Sequence, residues 1–345
     1  MEVLIIGYFE DMQSAVYIAN SFYDLGHKVE GISSRKFVQE LGLHEGQKAI
    51  INEVDDYAKS TSPDLVLILK GAEMSYNTTK YIKELFPEAL LVNWFFDVYM
   101  SGSPIWKNKE YHKTLKLFDY FFCSLKGVAD ELQEEGFENA RYLDEAAYPE
   151  LNGEVPMNHY QLQKYGEDVA FCGSIGMMEI HKRRVEILKK IVNEGFRLKI
   201  WGKVVAPWKE VGEELFEPHT ADEAVNLKHS MVCQASKVCI GVDQDRNVDR
   251  GHSARLYRVL AAGGVYLLNA TKGVDEMFKV NKDGADITGE EDLIFYYSEE
   301  DLVNKLDFLL EHDDIRKQIA KNGQEKVLKE HKWTDRITDM IKTIF

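Results

Sequence analysis

Three short stretches set residues that bind anions or move protons beside glycine or just past an apolar run. In the first, Gly251-His252-Ser253-Ala254-Arg255, a polar loop (Asp243 to Gly251) gives way to a helical pattern from about His252 to Ala262. A helix start leaves backbone N–H groups without intrahelical partners and carries the positive end of the helix dipole. Gly251, His252 and Ser253 there suit an anion such as a diphosphate. Arg255 adds a charge-assisted donor. Histidine titrates near neutrality, so His252 is a candidate general acid or base, or a bystander in its loop. In the second stretch, the loop Gly173-Ser174-Ile175-Gly176 continues to Met178 and opens a helix carrying His181-Lys182-Arg183-Arg184. That run is either a solvated basic face or the source of a guanidinium, Arg183 or Arg184, matched to phosphate oxygens. The third stretch, Trp94-Phe95-Phe96-Asp97, leaves a carboxylate just past an apolar run. Asp97 is positioned either to deprotonate a hydroxyl or to cap a helix. Asp11 and Glu73 are weaker candidates of the same kind. Asp243-Gln244-Asp245 has the form of a paired-carboxylate metal–nucleotide site, but three residues are too few to assign one.

The elements that must hold these residues alternate. Val238-Cys239-Ile240-Gly241 reads as a buried strand before the Asp243 loop, and Val265 to Leu268 as the next strand after the helix and the Gly263-Gly264 turn. In open α/β sheets, ligands sit beyond the carboxyl ends of such strands. The chain opens with a strand, Met1 to Gly7, a helix from Asp11 to Leu25 and a strand from His27. Only Tyr8-Phe9 follows Gly7, so the GxGxxG fingerprint of a dinucleotide site is absent, although Glu30 falls where a ribose-binding acid would stand. Strands at Asp64–Leu69, Ala89–Trp94 and Tyr120–Cys123, with helices at Thr78–Phe86 and Leu125–Glu135, predict a doubly wound parallel sheet. This series ends near Tyr148-Pro149, and the poorly periodic stretch from Glu150 to Glu167 reads as a linker. A second series runs through strands Asp168–Cys172 and Phe196–Trp201, the latter ending at Gly202, around a helix from Glu179 to Asn193. Thr220-Ala221-Asp222-Glu223 reads as a capping box opening a helix. A strand near Leu293–Tyr296 and helices at Leu302–Leu310, Ile315–Lys329 and Asp335–Ile344 complete the pattern. The expectation is α/β: two Rossmann-like doubly wound domains, 1–155 and 156–331, facing each other across a cleft.

Composition narrows the function. A chain of 345 residues exceeds what one core usually spans, and 45% hydrophobic content supplies two. A net charge of −16 argues against a general nucleic-acid or anionic-membrane binder while leaving room for a local basic pocket. Cys123, Cys172, Cys233 and Cys239 are scattered without metal-ligand spacing, as expected of reduced thiols in a cytoplasmic protein. No apolar run reaches the ~18–20 residues of a membrane span, and Met1 leads into a strand rather than a signal peptide. The expectation is a soluble, cytoplasmic protein.

Several spaced motifs combine into a resemblance: Phe171-Cys172-Gly173-Ser174 with Arg183 or Arg184, Ile200-Trp201-Gly202, Ser236-Lys237, and Arg255-Leu256-Tyr257 before Ala261-Ala262-Gly263-Gly264. His331-Lys332-Trp333-Thr334 with Arg336, Trp94 to Asp97, and Arg141-Tyr142-Leu143 belong to the same set. Together they resemble the GT-B glycosyltransferases, and most closely the CgeB-like spore-maturation group. The resemblance implies an acceptor bound by the first domain and a nucleoside-diphosphate sugar, foremost a UDP-sugar, bound by the second. It implies that a C-terminal helix, 332–345, crosses back onto the first domain, and that neither a metal nor a further cofactor is required. The implied donor residues are Gly173, Ser174, Arg183, Trp201, Gly202, Asp243, Gly251, Ser253, Arg255, Tyr257 and Arg258; Asp97 and His252 are the catalytic candidates.

One residue departs from the family pattern, which runs Arg, any residue, an aromatic, then a Glu that holds the donor ribose. Here Arg258 follows Tyr257. A cation cannot accept hydrogen bonds from ribose hydroxyls. Asp243 or Asp249 takes that role, or the donor differs, or catalysis is lost. The expected function is sugar transfer to a hydroxyl on a glycan, protein or small molecule, with nucleic acid a less natural acceptor. The alternatives are an inactive nucleotide- or sugar-binding protein and a nucleotide-sugar epimerase, which needs paired carboxylates.

Overall fold

Apolar runs of three to six residues, flanked by glycine or polar loops, become the strands of two parallel sheets. The computed structural model of the protein describes residues 1–9, 14–99, 109–177, 179–243 and 245–345. Asp11, Met178 and Gln244 lie outside the described residues. The chain divides into two compact units, one of Met1–Glu145 with Trp333–Phe345 and one of Ala146–Lys332. Residues 146–155, grouped by the sequence with the first half, therefore pack with the second.

In the first unit the strands are β1 (Glu2–Gly7), β2 (Lys28–Ser33), β3 (Leu65–Leu69), β4 (Leu90–Phe95), β5 (Tyr120–Cys123) and β6 (Ala140–Tyr142). They form one sheet in the order β2-β1-β3-β4-β5-β6, parallel at every pairing. All five residues of β3 are buried, as expected of a strand covered on both faces. The order reverses direction between β1 and β3, which makes their carboxyl ends a topological switch point. The helix Trp333–Ile344 packs against the helix Ser14–Asp24 of this unit, burying Trp333, Ile337, Met340 and Ile344 along one stripe. Trp333 meets the buried Trp94 ring edge-on at 5.3 Å, and Trp94 Nε1 donates to the Leu143 carbonyl at 2.9 Å.

The second unit holds β7 (Val169–Cys172), β8 (Leu198–Trp201), β9 (Val238–Gly241), β10 (Tyr266–Asn269) and β11 (Ile294–Tyr296), ordered β11-β10-β9-β7-β8 and again parallel. Its switch point lies between β7 and β9. One face of the sheet packs Val185, Ile187, Leu188 and Ile191 of the helix Glu179–Asn193 together with Leu302, Leu306 and Leu309 of Glu299–Glu311. The other packs Leu256, Val259 and Leu260 of the helix Arg255–Ala261 with Val232 and Cys233.

Two local readings change. The stretch 150–167 is no bare linker: it carries the helices Pro149–Asn152 and His159–Tyr165, the latter opened by a reciprocal Asn158/Gln161 capping box. Thr220–Glu223 opens no helix. Ala221 is left-handed (φ +57°), and Thr220 Oγ1 donates to the carbonyls of Ile200 and Asp222, so the segment follows the edge of β8. The helix begins only at Leu227. Among the described residues, no helix is long and apolar enough to cross a membrane.

Candidate functional site

At the switch point of the second sheet, β7 ends at Cys172 and the chain turns through Gly173 and Ser174. This turn packs tightly on the end of β8. Gly173 N–H donates to the Trp201 carbonyl at 2.8 Å, and a Cβ at Gly202 would overlap the Gly173 carbonyl. Gly202 is thus required by backbone approach, independently of any ligand. Trp201 is buried at the end of β8, its ring 5.8 Å from that of Tyr165.

Two guanidinium groups converge on this turn. Arg184 Nη1 donates to the Ser174 carbonyl at 3.2 Å, and Arg255 Nη1 lies 3.2 Å from the position a Gly173 Cβ would occupy. The Nε atoms of both are buried without a hydrogen-bond partner. Burial, and then the neighbouring Arg255 charge, push the Arg184 guanidinium down to about 10. His181, one turn earlier on the same helix, is also lowered, by burial first and then by Arg184 and Arg255. Its imidazole is therefore neutral near pH 7.

Arg183, the implied donor residue, gives way to Arg184 here. Arg183 points away, its half-exposed side chain ion-paired to Glu299 at 2.9 Å and Glu186 at 3.3 Å. Helical spacing alone does not decide between them, because Arg184 has Leu188 and Ile191 at i+4 and i+7 while Arg183 has Ile187 and Ile191 at i+4 and i+8.

The loop after β9 is organised around Asp243. Its side chain is only 4% exposed. It accepts from Ser253 Oγ at 2.9 Å, Ser253 N–H at 3.2 Å and Arg255 Nη2 at 3.1 Å. Its backbone exchanges two hydrogen bonds with the Asn269 amide. Two of the N–H groups expected to meet a diphosphate, those of Gly251 and Ser253, are thus spent internally. Ser253 gives its N–H to Asp243 and Gly251 to the Val248 carbonyl, and a Cβ at Gly251 would overlap the Asp245 carbonyl. The helix starts at Arg255, not His252, and runs for 7 residues. Asp243 is enclosed while Asp245 is exposed. Asp249 packs against Gly273.

Further along, Tyr257 is fully buried, between the rings of His252 at 5.4 Å and His331 at 5.3 Å. His252 is itself buried. Arg258 turns inward, 8% exposed, and its charge is the second cause, after burial, that pushes His229 down to about 3. The cation that replaces the expected acid is an interior residue.

The first unit has a different carboxyl edge. Asp97 follows β4, its side chain 57% exposed and paired with Lys70 Nζ at 2.8 Å. Glu73 accepts from Ser34 Oγ at 2.8 Å, and that hydroxyl also lies 3.3 Å from the Gly7 carbonyl. Lys70 gives no signal in the sequence beyond being a polar residue that closes an apolar strand.

Known proteins share this fold. Residues 183–342 match the family model described as glycosyl transferase-like. No curated protein matches the sequence significantly. Among solved structures, an alpha-glucosyltransferase in complex with UDP-glucose and DNA containing an abasic site is similar at TM-score 0.63 and 10% identity, covering 100% of this chain and 99% of that one. The catalytic domain of starch synthase IV from Arabidopsis thaliana, bound to ADP and acarbose, gives 0.63 at 8% identity, covering 98% and 99%. The UDP-GlcNAc 2-epimerase of Methanocaldococcus jannaschii, in complex with UDP-GlcNAc and UDP, gives 0.52 at 12%, covering 99% and 100%. The chain thus has two Rossmann-like domains in the GT-B architecture, and residues 183–342 are similar to the glycosyl transferase-like family.

Proposed function

We propose that the protein is a glycosyltransferase that moves a sugar from a nucleoside-diphosphate sugar, foremost a UDP-sugar, to a hydroxyl acceptor. The observation that carries this reading is the pair Arg184 and Arg255 at the Gly173–Ser174 turn, each with an unpartnered buried Nε, at the switch point of the second sheet. Guanidinium groups held there by the fold neutralise the charge that develops on a departing diphosphate, at no cost of reorganisation during reaction. The similarity to the CgeB-like group and the nucleotide-sugar ligands named for the structural neighbours support the same donor class.

Asp97 is the proposed base: it stands exposed beyond β4 and accepts the proton of the attacking acceptor hydroxyl. His252, packed beside Tyr257, holds the donor loop in shape. The acceptor belongs to the first unit and the donor to the second. Net charge favours a glycan, protein or small-molecule hydroxyl over nucleic acid.

A panel of UDP-, GDP-, dTDP- and CDP-sugars tests the reading by thermal shift. A donor at about 100 times its Kd adds ~2.7 kcal/mol of stability. Arg184→Ala removes that shift, and release of nucleoside diphosphate requires an acceptor. Absence of a shift with every donor overturns the reading. Conversion of UDP-GlcNAc to its 2-epimer, followed by NMR without an acceptor, identifies an epimerase instead. Donor binding with neither outcome, across acceptors of all three classes, identifies a binding protein.

A further inference from the structure

The turn after β3 holds its backbone in an unfavourable shape. Four described non-glycine residues have left-handed φ: Lys70, Ala221, Asn226 and Arg250. Only Lys70, at φ +58°, lies in the first unit, and Gly71 beside it is also left-handed at +74°. A side chain in this region crowds its own backbone, so a lysine persists there only when its surroundings over-determine it.

The surroundings do so with three hydrogen bonds. Lys70 N–H donates to the Trp94 carbonyl at 2.9 Å, and its carbonyl accepts from Tyr111 Oη at 2.6 Å and Asn93 Nδ2 at 3.0 Å. Asn93 is fully buried, and the other end of its amide, Oδ1, has no partner. Two locally unfavourable features, a left-handed lysine and an orphaned amide oxygen, therefore coincide beside the first sheet's switch point. Their joint product is the Lys70 ammonium, held 2.8 Å from the Asp97 carboxylate. An exposed ion pair contributes little to stability, so stability does not account for the arrangement.

We propose that Lys70 is a positioning residue, whose strained turn sets the Asp97 carboxylate in the orientation that receives the acceptor hydroxyl's proton. The proposal rests on the reading of Asp97 as the base. Lys70 acts through Asp97, and the bond formed to the sugar does not involve it.

Two truncations separate this role from a structural one. Lys70→Gly and Lys70→Ala both remove the ammonium, but only glycine relieves the left-handed strain. Lys70→Gly should melt higher than Lys70→Ala, by roughly 2 °C. Both should lower kcat by roughly tenfold or more with donor KM unchanged, and Lys70→Arg should recover much of the loss. The melting arm needs no substrate: equal melting points, or a lower one for Lys70→Gly, overturn the proposal whatever the protein catalyses. Wild-type kcat retained in Lys70→Gly also overturns it. If the wild-type protein neither binds nor turns over any donor, the transferase reading falls first and the role of Lys70 falls with it.

Discussion

The two parallel sheets share an architecture and differ at their carboxyl edges. In the second unit the charged groups are enclosed: Asp243 is 4% exposed and Arg255 17%, with Arg184 beside them at the Gly173–Ser174 turn. In the first, Lys70 and Asp97 are 38% and 57% exposed, and their pair stands in solvent. Enclosure raises the value of each fixed charge and the cost of moving it, which under the proposed function suits a group that meets a diphosphate. Exposure keeps the Asp97 carboxylate open to water, as the proposed role of a base toward an acceptor requires. The lesson is that one sheet plan carries two kinds of charged edge by changing how far its loops bury their charges.

The sharpest test of this contrast acts on the exposed side. Asp97→Asn should lower kcat by about 10²–10⁴-fold while leaving donor affinity and melting temperature near wild type, measured by nucleoside-diphosphate release and calorimetry. A large loss of stability would mean that the first edge is built like the second. Arg255→Ala should do the reverse. It leaves the Asp243 carboxylate buried without its cation and should destabilise the fold by about 3 kcal/mol in denaturant titration, with donor binding lost as well.

A smaller effect is expected from pH. His229 is fully buried in the second unit and pushed down to about 3 by burial, then by Arg258 and Arg255. Its folded value lies below its unfolded value of ~6.5, so its contribution is complete above that pH and declines as pH falls toward 3. The slope approaches 1.4 kcal/mol per pH unit and should flatten in His229→Gln. Native-state hydrogen exchange should show β7 to β11 losing protection ahead of β1 to β6. Equal loss in both sheets would break the comparison.

Much of the fold was legible in the sequence because parallel strands are buried on both faces and so read as apolar runs. Leu65–Leu69 and Val169–Cys172 fall within the expected Asp64–Leu69 and Asp168–Cys172. The helix Ser34–Ala58 leaves no clear pattern in the sequence, for a physical reason. It buries few side chains along 25 residues and is interrupted at Gly42 (φ +79°), so it shows no sustained stripe. At the site, residue types were legible and their partners were not. Arg255 was expected to await an anion, and it already has one in Asp243, twelve positions upstream. No spacing rule connects a loop carboxylate to the helix start it satisfies. The choice of Arg184 over Arg183 was not legible either, since both have apolar residues at helical spacing, and what sets Arg183 apart is its pairing with Glu186 and the distant Glu299.

The packing of the helix Trp333–Ile344 on the first unit also bears on how the protein is made. A ribosome releases residues 1–145 long before residues 333–345, with all of the second unit synthesised between them. Trp94 and the helix Ser14–Asp24 wait throughout that interval for the surface that covers them. The second unit, continuous in sequence, can fold in the order of its synthesis, whereas the unit that begins the chain is completed only after it. A nascent chain arrested before Trp333 would present an unfinished first unit with apolar surface open to chaperones.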